Sequence, residues 1–138
     1  MLNNALYHLR RALRLCHDKI PILLIIGYVA YEQGNLQIGC DALEMAVSIE
    51  PNNQCALGLL GSFLVTMDQR LGLAIDCLRK AVKLQSNDQG AWYYLGMALN
   101  TQGNIAEAVQ AYERVIEINP VTRHANNARC RLAEVHLN

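Results

Sequence analysis

The sequence predicts an all-α fold built from stacked antiparallel helix pairs, and three observations predict it. Apolar residues recur at spacings of three and four along nearly the whole chain, the period of one helix face. Two sets of residues recur in copies offset by 34 or 35 positions. Gly- and Pro-containing pieces fall between the copies, where helices have to stop.

The first set is Ala108, Tyr112, Val115 and Pro120, with gaps of 4, 3 and 5. The same gaps give Ala74, Leu78, Ala81 and Ser86, then Gly39, Leu43, Ala46 and Pro51, then Ala5, Leu9, Ala12 and His17. The second set is Trp92, Leu95, Gly96 and Leu99. Its copies are Leu57, Leu60, Gly61 and Leu64, and Leu23, Ile26, Gly27 and Ala30. The two sets alternate, so each unit of about 34 residues is a pair of helices that buries its apolar face against its neighbours.

From the N-terminus, residues 1–19 match only a second helix, with Leu2, Leu6, Leu9 and Leu13 on one side. Residues 20–53, 54–88 and 89–122 are read as full repeats, and residues 123–138 as a terminal capping helix. Glycine inside a helix costs about 0.5–1 kcal/mol relative to alanine. Gly27, Gly61 and Gly96 accept that cost at one repeated place, which predicts close approach of the second helix, with Gly39, Ala74 and Ala108 as its small partners. Gln33-Gly34-Asn35 and Gln102-Gly103-Asn104 are expected to be turns, glycine supplying a left-handed helix end. The copy at 54–88 carries one extra residue in its turn, between Met67 and Leu71. Pro51 and Pro120 end second helices. Asn52 or Asn53, and Asn87 or Asp88, are expected to cap the helices that follow. The last helix has Ala125, Ala128, Leu132 and Val135 as its apolar stripe and Arg123, Arg129, Arg131 and Glu134 on its polar side. Its register stays open, because Leu132-Ala133 resembles Leu95-Gly96 but arrives about three residues late.

These residues resemble the tetratricopeptide repeat, whose motif has Trp, Leu, Gly and Tyr in its first helix and Ala, Phe, Ala and Pro in its second. Gln89–Thr122 is the best copy, matching at Trp92, Leu95, Gly96, Ala108 and Pro120. Residues 20–53 match at Gly27, Ala46 and Pro51, with Gly39 in place of the small alanine. The resemblance implies a right-handed α-α superhelix (a tetratricopeptide-type solenoid) whose first helices line a concave surface, and a scaffold role in protein–protein interaction. On that expectation the groove residues are Leu24, Tyr28, Tyr31, Cys55, Ser62, Val65, Tyr93, Met97 and Asn100. Such a lining suits an amphipathic helix or an extended apolar peptide, since tyrosine gives rigid contact area and methionine adapts to irregular partners. The tyrosines have a second reading, as packing between neighbouring helices inside the array. A subset of the family grips chaperone C-termini with Lys, Asn and Arg. The matching positions here hold Leu24, Tyr28, Leu59, Gly90 and Tyr94, none of which grips a carboxylate.

Composition narrows the partners. Twelve basic residues balance twelve acidic ones, so no electrostatic footprint for nucleic acid is expected. Ile20–Ala30 is apolar but about half the length of a membrane span, so no membrane insertion is expected. The five cysteines, Cys16, Cys40, Cys55, Cys77 and Cys130, are odd in number and form no C-x-x-C pair. That spacing fits neither a zinc site nor a disulfide framework, and it suits a reducing compartment, the cytoplasm. His8, His17, His124 and His136 have no spaced acidic or thiol partner, and there is no phosphate loop; no enzyme activity, metal or cofactor is expected. Cys16-His17 is adjacent on a helix, so its side chains diverge by about 100°. The partner is expected to be a protein or peptide. The open face of helix 1–17 leaves a second reading: a structural or self-associating segment of a larger assembly or a longer repeat protein, with a homodimer through the N-terminal helix.

Overall fold

Short turns with left-handed glycines set the architecture. In the computed structural model, which describes residues 2–15 and 17–137, the described residues form eight α-helices and no strand. They are α1 (Leu2–Leu15), α2 (Ile20–Gln33), α3 (Leu36–Ile49), α4 (Gln54–Thr66), α5 (Leu71–Leu84), α6 (Gln89–Gln102), α7 (Ile105–Ile118) and α8 (Arg123–Leu137). Cys16, and the side chains of Leu2 and His136, lie outside the described residues, so the readings of Cys16-His17 and of Leu2 on the open face have no structural counterpart. No described helix is long and apolar enough to cross a membrane.

Gly34 (φ +74°) and Gly103 (φ +96°) turn α2 into α3 and α6 into α7. The amides of Asn35 and Asn104 then return to the carbonyls of Ala30 and Leu99, at 2.8 and 2.9 Å, closing the helix end. The turn from α4 to α5 spans four residues, and Asp68 (φ 53°) and Arg70 (φ 45°) take the left-handed conformation without glycine. Arg70 there pairs with Glu44 of α3, tying one second helix to the next.

Second helices end where the chain turns extended. Glu50 and Asn119 precede proline, which disfavours a helical residue before it. Gln85 does the same ahead of Ser86, so the stop does not require proline. Of the two candidate caps at each start, the structure selects Asn53, which accepts from the Ala56 amide at 2.9 Å, and Asp88, which accepts from the Ala91 amide at 3.1 Å. Thr122 Oγ1 serves α8 in the same way.

The repeated glycines correct one expectation. A Cβ on Gly61 would stand 2.4 Å from Leu78 Cγ, and one on Gly96 would stand 2.7 Å from Tyr112 Cε1. At Gly27 the contact with Leu43 is looser, 3.2 Å. The glycines therefore make room for the large residue of the second helix, not for its small one. The small position receives the next repeat instead: a Cβ on Gly39 would stand 2.3 Å from the Phe63 ring. Leu43, Leu78 and Tyr112 are fully buried, and so are Ala74 and Ala108.

The ends differ in character. On α1, Leu6 is buried and Leu9 and Leu13 pack partly on α2, while Tyr7 and Leu15 stay exposed. On α8, Ala125 and Ala128 are buried and Leu132 and Val135 half-buried. Because α8 starts at Arg123, Cys130 rather than Ala133 holds the glycine position, which settles the open register. Arg123, Arg129 and Glu134 face solvent and Arg131 is half-buried.

Gly61→Ala is predicted to destabilise the fold by about 1–3 kcal/mol, the range for overpacking a tight contact. Gly72→Ala, on α5 with nothing within 4 Å, should instead stabilise it by about 0.5 kcal/mol through the unfolded chain. Urea unfolding of the two variants reads both signs.

Candidate functional site

Packing α2, α4, α6 and α8 side by side leaves a concave face with three adjoining recesses. The first has a cavity volume of about 410 Å³. Tyr28, Tyr31 and Glu32 of α2 form one wall; Cys55, Gly58, Leu59 and Ser62 of α4 form the floor; Gly90, Ala91 and Tyr94 of α6 form the other wall. Tyr31 stacks on Phe63, ring centroids 5.9 Å apart, which fixes its ring while leaving its outer face free. The two aliphatic hydroxyls are turned inward along their own helix: Ser62 donates to the Gly58 carbonyl and Thr66 to the Ser62 carbonyl, both at 2.8 Å. The lining is thus aromatic and aliphatic, with its carboxylates, Glu32 and Asp88, at the margin. Asp88 also accepts from the Gln54 amide group, so one side chain caps α6 and clips α4 to it.

The second recess, about 630 Å³, shares Tyr31, Thr66 and Tyr94 with the first. It adds Val65, Tyr93, Met97 and, from α8, Arg123, His124 and Asn127. A third, about 320 Å³, continues from Tyr93 and Asn127 to Cys130, Arg131 and Glu134.

The expected residues divide by position. Tyr28, Tyr31, Cys55 and Ser62 lie in the first recess, and Val65, Tyr93 and Met97 in the second. Leu24 packs partly buried between the two core clusters, and Asn100 sits at the end of α6, where its carbonyl accepts from the Gly103 amide; neither lines a recess. The two readings of the tyrosines split as well. Tyr28 and Tyr31 are 55% and 53% exposed, whereas Tyr93 is 7% exposed and packs its ring against Tyr94, Tyr112 and His124. Tyr94, Leu59, Glu32 and the α8 residues were missed as lining. The spacing rule places the wall one residue away from Leu59 and Tyr94, and the open register of the last helix leaves its lining residues unassigned.

Electrostatics follow burial. Burial raises the Tyr94 hydroxyl above its usual range and pushes Tyr112 up to about 12. The thiols of Cys40 and Cys77 are buried and free; burial raises both, Cys77 to about 11, so neither is a ready nucleophile. Burial, and then the Arg123 guanidinium, lower His124 below its ordinary value against an opposing pull from Asp88. Tyr93 beside it raises the Arg131 guanidinium above its ordinary value. Among the described residues no group of three His, Cys, Asp or Glu side chains is placed to hold a metal ion.

Helix pairs stacked so that alternate helices share a concave face define a helical-repeat solenoid. The family model for the tetratricopeptide repeat matches residues 90–120, the third pair, and the fold is of the tetratricopeptide type. A comparison with curated protein sequences gives no match. Among solved structures, MamA is similar at 26% identity and a TM-score of 0.80, over 86% of this chain and 69% of that one. The first repeat domain of Spaghetti (RPAP3), bound to the HSP90 peptide SRMEEVD, is similar at 22% identity and a TM-score of 0.76, over 87% and 94%. YrrB, described as having an unusual peptide-binding site, is similar at 20% identity and a TM-score of 0.80, over 94% and 66%. The last two likenesses establish the fold.

His124 generates a pH prediction. Its folded-state value is lowered, so its neutral form is the one the fold favours. As pH falls through about 6.5, the unfolded chain takes up a proton that the folded chain resists, and stability is lost. The melting temperature should drop between about pH 7.5 and 5.5, and drop less in His124→Gln. Circular dichroism melts at matched ionic strength measure the difference.

Proposed function

We propose that the chain is a non-catalytic protein-interaction scaffold that captures a peptide or amphipathic helix of a partner protein on its concave face. The observation that carries this reading is the aromatic shelf: Tyr28 and Tyr31, more than half exposed, beside a recess of about 410 Å³ whose Ser62 and Thr66 hydroxyls are turned to their own helix. Rigid aromatic rings over an apolar floor bind side chains with little loss of conformational entropy. Two proteins of this fold, Spaghetti (RPAP3) and YrrB, are described as binding peptides, which supports a ligand of that class. The proposed working surface comprises Tyr28, Tyr31, Cys55, Ser62, Val65 and Met97, joined by Leu59 and Tyr94, with the buried Tyr93 supporting it from the core. The exposed free thiols Cys55 and Cys130 suit a reducing compartment, and the cytoplasm is the location proposed.

One observation favours a second reading. Tyr7 and Leu15 of α1 are 61% and 76% exposed at the end of the array, which suits self-association or docking within a larger assembly. The same experiment weighs both. Tyr28→Glu with Tyr31→Glu changes two exposed rings, whereas a charge at Tyr93 would enter the core. A pull-down from cell extract should lose its specific partner with the double variant at unchanged helical content. Full retention would contradict the groove reading and move the contact to α1, where Tyr7→Glu with Leu15→Glu is the matching variant.

A further inference from the structure

Past Tyr94 the concave face changes character. The apolar shelf gives way to Arg123, His124 and Asn127 in the second recess and to Arg131 in the third. Arg123, Asn127 and Arg131 are four residues apart, one stripe of α8 turned toward the recesses. The opposite end of the face carries Glu32. The concave surface is therefore polarised along its length, acidic near α2 and basic near α8.

One charge of the basic end has no internal counterweight. Arg123 is exposed and no carboxylate of the described residues lies within 4 Å of it. It occupies the first turn of α8, which holds no acidic residue, and there the helix dipole opposes a cation. The corresponding first residues of α4 and α6 are the neutral Gln54 and Gln89. The nearby carboxylate, Asp88, is committed to the Gln54 amide group and the Ala91 amide. Arg131 keeps Glu134 at 3.6 Å, so the uncompensated charge of the stripe is Arg123.

We infer that the groove takes a peptide with an apolar side chain between Tyr28 and Tyr31 and an acidic side chain against Arg123 and Asn127. This rests on the groove reading above and adds to it the chemistry of the partner: a peptide with a carboxylate downstream or upstream of its apolar anchor at a fixed spacing. The guanidinium offers paired N–H donors to a carboxylate, and Asn127 adds an amide donor beside it.

The test selects random linear peptides displayed on phage against the intact chain. The enriched peptides are then synthesised with a fluorescent label, and their binding is measured on the parent, Arg123→Glu and Tyr28→Glu with Tyr31→Glu. Arg123 is exposed, so its reversal leaves the fold in place, as helical content verifies. The expected result is a shared Asp or Glu at constant distance from an aromatic or aliphatic residue. About tenfold weaker binding should follow both Arg123→Glu and replacement of the peptide acid by its amide. Apolar peptides that need Tyr28 and Tyr31 but bind Arg123→Glu equally well would overturn the inference and leave the groove reading standing. Peptides indifferent to Tyr28 and Tyr31 would overturn both. Acidic peptides weakened by Arg10→Glu with Arg14→Glu, and not by Arg123→Glu, would put the basic contact on α1 and overturn the inference as well.

Discussion

The structure depends on one steric constraint, the seating of a large second-helix side chain on a first-helix glycine. Leu43 on Gly27, Leu78 on Gly61 and Tyr112 on Gly96 bring each pair together closely enough that a methyl group at the last two would collide. The seated residues are wholly excluded from water. Burying a leucine-sized side chain contributes about 1.5–3 kcal/mol, more than the penalty of about 0.5–1 kcal/mol for a helical glycine. The interlock thus outweighs the conformational entropy that the glycine gives up. A second interlock runs between pairs, where Gly39 receives Phe63. Together they fix both spacings of the array.

The concave face is a consequence of those spacings. First helices meet along one side because their glycine faces are turned to their own second helices. What α2 and α4 present to the first recess is mostly small or aromatic. Gly58 and Ser62 keep the floor low, and Phe63 supports Tyr31 from beneath. Several polar groups of the floor and edge are engaged elsewhere, the Ser62 and Thr66 hydroxyls with backbone carbonyls and Asp88 with Gln54 and the Ala91 amide. The core clusters run through the pairs without a break, since Leu24 and Val47 pack on both. A ligand on the face therefore meets a preformed surface.

The fold was legible because its signals are local and repeated. Gly34 and Gly103, the caps at Asn53 and Asp88, and the alternation of two apolar sets each follow from the chemistry of single residues. Three features were less legible. Which second-helix residue meets the glycine depends on side-chain direction, and spacing alone suggested the small one where the structure shows the large one. The depth of Tyr93 depends on what α8 brings: His124 packs on its ring, and the register of α8 is open in the sequence pattern. Tyr28 and Tyr93 are both expected on the groove face, yet the first is over half exposed and the second is core. The difference lies in the next element along the chain. The basic end of the face was hidden for the same reason, since Arg123, Asn127 and Arg131 form a stripe only once α8 continues the row of first helices.

The central claim is that the concave face of α2, α4, α6 and α8 is the surface that meets the partner. A crystal structure of the chain with a peptide it captures tests this most directly. The account predicts peptide density along that face, with a side chain over the Tyr28–Tyr31 shelf. Density confined to the outer faces of the second helices, or to the exposed side of α1, would contradict it.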